Sequence, residues 1–299
     1  MCASVSTLIT VTPTVEYIND PAAMQQRAEG ARCQGRRIAV VPTMGALHEG
    51  HCSLIRLARE RSDLVITTIF VNPTQFGEEE DFDRYPRNLE RDVALAKGAG
   101  TDIVFAPSPE AMYPGGSVTA VIVEKITEVL EGAIRPGHFR GVATVVAKLL
   151  NITRPDCAVF GQKDAQQVVV VRRMVRDLNI GVEIVVAPTV READGLAMSS
   201  RNVYLTPAQR AEAPVLHRSL QHAEALIRGG ERNPETIRRS VMRLISAASS
   251  GVVQYVSLAD EGDLEECRML SRGDRILVSL AVRFGSTRLI DNCVLDVSS

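Results

Sequence analysis

The segment Pro42-Thr43-Met44-Gly45-Ala46-Leu47-His48-Glu49-Gly50-His51 gathers side chains suited to handling phosphate. An apolar strand ends at it, and a helix is expected to begin near His51. Histidines three residues apart at a helix N-terminus can face one ligand. That terminus also offers free N–H groups and a partial positive charge. The same charge disfavours imidazolium, so both rings are expected to be neutral and to donate N–H to phosphate oxygens. Gly50 between them would let a ligand approach the backbone. A zinc site and plain capping by two histidines are the alternatives. Zinc would want further ligands at recognisable spacing, and no H-E-x-x-H pattern is present.

Four more polar segments point to a small charged ligand. Asn72-Pro73-Thr74-Gln75-Phe76 follows a strand, where amides can read hydroxyls and a carboxylate, or it is an Asn-Pro turn. Gly161-Gln162-Lys163-Asp164-Ala165-Gln166-Gln167 also follows a strand and opens a helix. Lys163 suits phosphate there, and Asp164 suits ribose hydroxyls or the cap of that helix. Met198-Ser199-Ser200-Arg201-Asn202 combines hydroxyls with a guanidinium, a phosphate clamp or a solvated loop. Arg135-Pro136-Gly137-His138-Phe139 lies near Glu131; His138 by itself reads as structural.

These segments need strands to present them. Residues 38–41 and 64–71 are apolar and β-branched, and 103–105, 157–160 and 182–186 are further short apolar runs. Between them, residues 53–61, 89–97, 142–150 and 166–178 read as helices, the second ended by Gly98. The alternation predicts an α/β fold, a Rossmann-like parallel sheet with helices on both sides. After about Pro188 the texture changes. Residues 207–227 and 234–246 read as amphipathic helices, and 252–258, 275–282 and 287–289 as strands. A smaller α+β domain is therefore expected over 189–299, after a first domain over 1–188. In open α/β sheets ligands sit at the carboxyl ends of the strands, where these polar segments fall.

Composition narrows the function classes. The 299 residues are 45% apolar and 23% charged, with a formal charge of −2 and no tryptophan. No basic stripe with interleaved aromatics appears, so nucleic acid is not an expected partner. The six cysteines are scattered without C-x-x-C spacing, which suits reduced thiols. The N-terminus lacks the layout of a signal peptide, and no apolar run approaches the ~20 residues of a membrane helix. A cytoplasmic protein without membrane association is the expectation.

Together the five segments, in order from about residue 38 to 205, resemble the pantothenate synthetase family of the nucleotidylyltransferase superfamily. The run Ala281-Val282-Arg283-Phe284-Gly285-Ser286-Thr287-Arg288-Leu289-Ile290-Asp291-Asn292 is similar to that family's ending. Two histidines flanking a glycine mark the whole superfamily; their combination with the other segments is the specific signal. Residues 1–6 read as a loose extension. The resemblance implies a homodimer and ATP-dependent joining of pantoate to β-alanine through a pantoyl-adenylate, releasing AMP and pyrophosphate, in coenzyme A biosynthesis. It implies Mg2+ carried on the ATP phosphates, with protein ligands unspecified. It places His48, Gly50, His51, Lys163, Ser199, Ser200 and Arg201 at the ATP phosphates, Gly161, Asp164, Val190 and Met198 around adenosine, and Met44 among the ATP-binding positions as well. Gln75 and Gln167 match amides that hold pantoate, with Met44, Phe76 and His138 at its pocket. Asn72, Tyr85, Glu131 and Arg135 match supporting positions.

Other readings compete with this one. One is a nucleotidylyltransferase that stops after transferring a nucleotide, and another is a nucleotide-binding sensor without turnover. A class I tRNA synthetase is disfavoured by the short chain, and a purely structural protein by five polar segments at strand ends.

Overall fold

The structure, a computed structural model, describes residues 15–77 and 80–298. The first part alternates strand and helix: β1 (Glu16–Ile18), α1 (Pro21–Cys33), β2 (Ile38–Thr43), α2 (Glu49–Arg61), β3 (Leu64–Ile69), α3 (Leu89–Ala99) and β4 (Ile103–Phe105). The short helices α4 (Pro109–Met112) and α5 (Glu131–Ile134) follow, then α6 (His138–Thr153), β5 (Cys157–Gly161), α7 (Ala165–Asp177) and β6 (Glu183–Ala187). Ile38, Ala39, Val40 and Val41 are all fully buried, as a strand covered on both faces must be.

All six strands are parallel, in the order β1-β4-β3-β2-β5-β6. The chain leaves β2 toward β3 on one side and returns to β5 on the other. The order therefore reverses between β2 and β5, and a crevice opens beyond their carboxyl ends. One apolar cluster, including Met24, Ile66, Phe105, Val146 and Val170, fills one side of the sheet. A second, including Leu47, Ile55, Val65 and Val159, fills the other under α2.

The C-terminal part comprises α8 (Pro207–Glu212), α9 (Val215–Arg228), α10 (Pro234–Ser246), β7 (Gly251–Asp260), β8 (Arg275–Phe284) and β9 (Thr287–Asp296). Its strands form an antiparallel sheet, β7-β8-β9. Leu216, Leu220, Ile237 and Val241 of the helices pack on Val278, Leu280 and Val282 as a separate cluster.

Several elements differ from the sequence expectation. Gly98 does not end α3; the helix runs to Ala99, and Gly100, at φ +110°, caps it. Residues 207–227 are not one helix, because Pro214 cannot supply the N–H that would join α8 to α9. α6 begins at His138 and α2 at Glu49, both earlier than expected, and β9 runs well past residue 289. β1 and α1 are elements that the sequence pattern does not lead one to expect. Residues 1–6, read as an extension, lie outside the described residues.

Candidate active site

The carboxyl ends of the strands bring the five polar segments to one cavity. β2 delivers Met44, His48, Gly50 and His51; β3 delivers Asn72, Gln75 and Phe76; β5 delivers Gly161, Lys163, Asp164 and Gln167. Val190, Met198, Ser199, Ser200 and Arg201 follow β6, and Tyr85, Arg135 and His138 complete the wall. Of the predicted positions, Glu131 alone stands outside it, lining two neighbouring clefts instead.

The histidines cap α2 reciprocally. His48 is the N-cap residue, and its Nδ1 accepts the Gly50 N–H at 3.1 Å. His51 Nδ1 accepts the His48 N–H at 3.3 Å. The His51 and Cys52 N–H groups donate to the His48 carbonyl at 2.9 and 3.1 Å. The helix terminus thus does not offer the open row of N–H groups expected from sequence. In exchange each ring, with Nδ1 accepting, carries its proton on Nε2 when neutral. Burial lowers His48 from 6.5 to about 4, with nearby Lys163 adding to the effect. Burial lowers His51 to about 3, with His48 adding to it. Both rings are therefore neutral N–H donors, as expected, though burial rather than the helix end is the main cause. Gly50 serves the cap itself: a Cβ there would lie 2.8 Å from His48 Cε1. Zinc would need those Nδ1 or Nε2 lone pairs and further ligands. Among the described residues no group of three or more His, Cys, Asp or Glu is placed to hold a metal ion.

After β3, Asn72 is a buried organiser. Its Nδ2 donates to Gln75 Oε1 at 3.0 Å and to the Gly141 carbonyl at 3.2 Å, while Oδ1 accepts from Tyr113 OH at 2.8 Å. With its oxygen engaged, Gln75 presents Nε2, which contacts Met44 Sδ at 3.0 Å. His138 Nδ1–H donates to the Gln75 carbonyl at 2.8 Å, and Nε2 accepts from Arg135 Nη1 at 3.1 Å. Burial, then Arg135, lowers this ring to about 4. Both of its nitrogens are committed within the protein, so His138 orients Gln75 and Arg135 rather than offering a ligand its own hydrogen bond. Gln167 lines the cavity, whereas neighbouring Gln166 holds the carbonyls of Ile126 and Val129 at 2.8 and 2.9 Å. Phe76 stacks edge-on against Phe82 and Tyr85, with centroids 5.3 and 6.1 Å apart.

The cationic end has partners that the sequence reading missed. Arg201 donates Nε and Nη2 to the two Asp81 carboxylate oxygens at 3.1 and 2.9 Å. Arg135 makes the same fork to Glu80, at 2.5 and 2.7 Å. Burial works against both carboxylates, but the arginine hydrogen bonds hold each below its usual range. Lys163 Nζ stands 3.7 Å from Asp164 Oδ1. Asp164 occupies the N-cap position of α7 yet makes no side-chain cap bond, so its carboxylate remains available. Ser199 Oγ accepts the Arg201 N–H at 3.2 Å, which leaves its O–H to donate. Val190 O accepts the Met198 N–H at 3.0 Å, tying the two adenosine-side positions together. Thr189, also missed, lines the cavity with a buried hydroxyl that lacks a partner among the described residues.

Glu131 is fully engaged across the two parts of the chain. It accepts from Arg288 at 2.5 and 2.6 Å and from Tyr255 OH at 2.7 Å. Asn292 adds a second tie, donating to the carbonyls of Gln162 and Lys163 at 3.0 and 2.9 Å.

Comparison with known proteins identifies the family of the chain. A family model described as pantoate-beta-alanine ligase matches residues 16–294. The pantothenate synthetase of Moorella thermoacetica is 56% identical over 284 residues, covering 95% of this chain and 100% of that protein. That of Acetivibrio thermocellus is 56% identical over 283 residues, covering 95% and 99%. The crystal structure of pantothenate synthetase from Thermus thermophilus superimposes with a TM-score of 0.87 at 45% identity, covering 95% of this chain and 100% of that one. The pantoate-beta-alanine ligase of Francisella tularensis, solved in complex with beta-gamma ATP and beta-alanine, gives 0.77 at 34% identity, covering 94% and 98%. A match this long, at this identity and on this fold, means that the chain belongs to the pantoate-beta-alanine ligase family.

Proposed function

We propose that this chain joins pantoate to β-alanine at the expense of ATP, releasing AMP and pyrophosphate, with the residues of the cavity in the following roles. The observation that supports the reading most is the mixture of groups in one cavity. Its lining holds the amides of Gln75 and Gln167 together with Lys163, Arg201 and two imidazole Nε2–H donors. Amides suit a hydroxy acid and the cations and N–H donors suit a triphosphate, so one cavity can set a carboxylate beside a phosphorus atom.

A pantoate carboxylate oxygen attacks the α-phosphorus of ATP. The bond from that phosphorus to the bridging oxygen breaks, and pyrophosphate leaves. The nucleophile is already ionised and needs no base; the barrier is the approach of an anion to a polyanion. His48, His51, Lys163, Ser199, Ser200 and Arg201 answer it with donors fixed before the reaction. Each such donor is worth roughly 3–4 kcal/mol where charge develops. Gln75 and Gln167 hold the acid in line, a positioning effect of comparable or larger size. The β-alanine amine then attacks the acyl carbon, the bond to AMP breaks, and the amine loses its proton. Neither His48 nor His51 serves as that base, since each Nε2 already carries a proton.

The cavity wall is richer in cations than in free carboxylates, and Asp81 is tied to Arg201. This suits Mg2+ arriving on the ATP phosphates, where it would neutralise charge. The C-terminal residues 189–299 form a second domain that closes over residues 1–188 and keeps water from the mixed anhydride. The protein works as a homodimer in the cytoplasm.

The test is incubation with ATP, pantoate and β-alanine, followed by mass detection. Pantothenate and AMP in equal amounts support the proposal. Pyrophosphate exchange without an amide product would favour a nucleotidylyltransferase that stops at transfer.

A further inference from the structure

Asp92 belongs to none of the motifs that mark the site, yet it lies inside α3 at 1% exposure. Its two carboxylate oxygens accept backbone N–H groups from the turn between β2 and α2. Ala46 donates to Oδ2 at 2.8 Å and Leu47 to Oδ1 at 2.8 Å. The preceding N–H, that of Gly45, donates to Thr43 Oγ1 at 3.2 Å. Three consecutive N–H groups of this turn are thus held by side chains. The turn has a shape that needs holding: Gly45 has φ +85° and Ala46 φ +50°. A residue with a Cβ is disfavoured in that left-handed region. The fit is mutual, because a Cβ on Gly45 would lie 3.0 Å from Asp92 Oδ2.

Packing of α3 does not explain the carboxylate. Ala96 and Ala99 of the same helix are buried in the apolar cluster under α2, with Val93 and Leu95 against it. An apolar residue at 92 would serve that contact without the cost of desolvating a charge. What the carboxylate supplies is a pair of acceptors for a turn whose own ends are Met44 and His48. We infer that Asp92 is a positioning residue for the reaction: by holding Ala46 and Leu47 it sets where Met44 and His48 stand in the cavity. The inference rests on the proposed action of His48 on ATP.

Asp92→Asn keeps the shape but turns one acceptor into a donor facing a backbone N–H. Pantoate-dependent ATP–pyrophosphate exchange should lose kcat on the order of 10- to 100-fold, as misplacement of a reacting group does. Calorimetric affinity for pantoate should fall much less than kcat, since Gln75 and Gln167 stand on other elements and only Met44 of that pocket moves with the turn. In proton–nitrogen NMR the His48 ring should lose its single Nε2–H tautomer pattern. Gly45→Ala crowds the same joint without touching a charge, so it should give the same kcat-selective loss, and it decides the matter if Asp92→Asn does not fold. A folded variant with unchanged kcat overturns the inference, as does a loss that merely tracks the unfolded fraction. Should the unsubstituted protein show no exchange, the substrate reading fails by itself. The His48 signature in Asp92→Asn then decides the role of Asp92.

Discussion

His51 Nδ1 accepts the backbone N–H of His48 at 3.3 Å, with the two rings 4.1 Å apart. His48 Nδ1 in turn accepts from Gly50. The pair therefore shapes the start of α2 and, by the same bonds, fixes both ring protons on the Nε2 atoms. Structure and chemistry at these positions are separable, because only Nδ1 is spent on the fold.

His48→Asn makes that separation measurable. Asparagine is a good N-cap, whereas alanine costs about 1 kcal/mol there. Both variants should slow single-turnover adenylate formation on the order of 100-fold, the value of one preorganised donor. Only His48→Ala should also lose stability in urea. A near-normal rate in His48→Asn would remove the imidazole from the mechanism.

The same burial sets a pH dependence. His48 and His138 are lowered to about 4 and His51 to about 3, against 6.5 when unperturbed. As pH falls from 6.5 toward 4, the unfolded chain takes up protons that the folded chain refuses, so stability decreases. Above 6.5 these groups give no slope. Urea midpoints should be level between 6.5 and about 8, below the range where the buried thiols titrate, and drop below 6.5, less steeply in His48→Asn. Stability that rises with acidification across that window would contradict the assignment.

Arg201 meets a carboxylate before any phosphate arrives, through its fork to Asp81. A phosphate shares Arg201 with an internal competitor, which holds Nε and Nη2 and leaves Nη1 to the ligand. Asp81→Asn should tighten pyrophosphate binding by about tenfold, or about 1.4 kcal/mol; Arg201→Ala should weaken it. Calorimetry that finds weaker binding in Asp81→Asn would mean that Asp81 assists phosphate rather than competing with it.

Glu131 and Arg288 form a largely buried pair that spans the two parts of the chain. Removing one partner strands the other, at a cost of about 3–5 kcal/mol. Glu131→Ala and Arg288→Ala should each show that loss in urea unfolding, and the double variant should lose clearly less than their sum. Simple additivity would mean that the tie contributes nothing.

What the sequence discloses follows from how far apart cause and effect lie along the chain. Ile38 to Val41 is legible because a strand buried on both faces must be apolar throughout. The polar segments after β2, β3 and β5 are legible because the carboxyl ends of parallel strands converge. β1 is too short to show a period, and α1 has a weak apolar face even though Asp20 and Pro21 mark its start. Gly98 looks like a helix stop, but the left-handed cap is two residues on. Glu80 and Asp81 look like part of a solvated acidic run, since their arginines are distant in sequence. Glu131 lies near the motif of Arg135 and His138, but its partners come from β7 and β9. Likewise, the histidines show by spacing that they face one ligand, but not that their Nδ1 atoms consume the helix-terminal N–H groups.

Attack by a pantoate oxygen on the α-phosphorus of ATP leaves an isotopic trace. Pantoate labelled with oxygen-18 in its carboxylate, turned over with ATP and β-alanine, tests it directly. AMP should carry one labelled oxygen, and pyrophosphate should carry none. Label appearing in inorganic phosphate instead, with ADP as the nucleotide product, would contradict it.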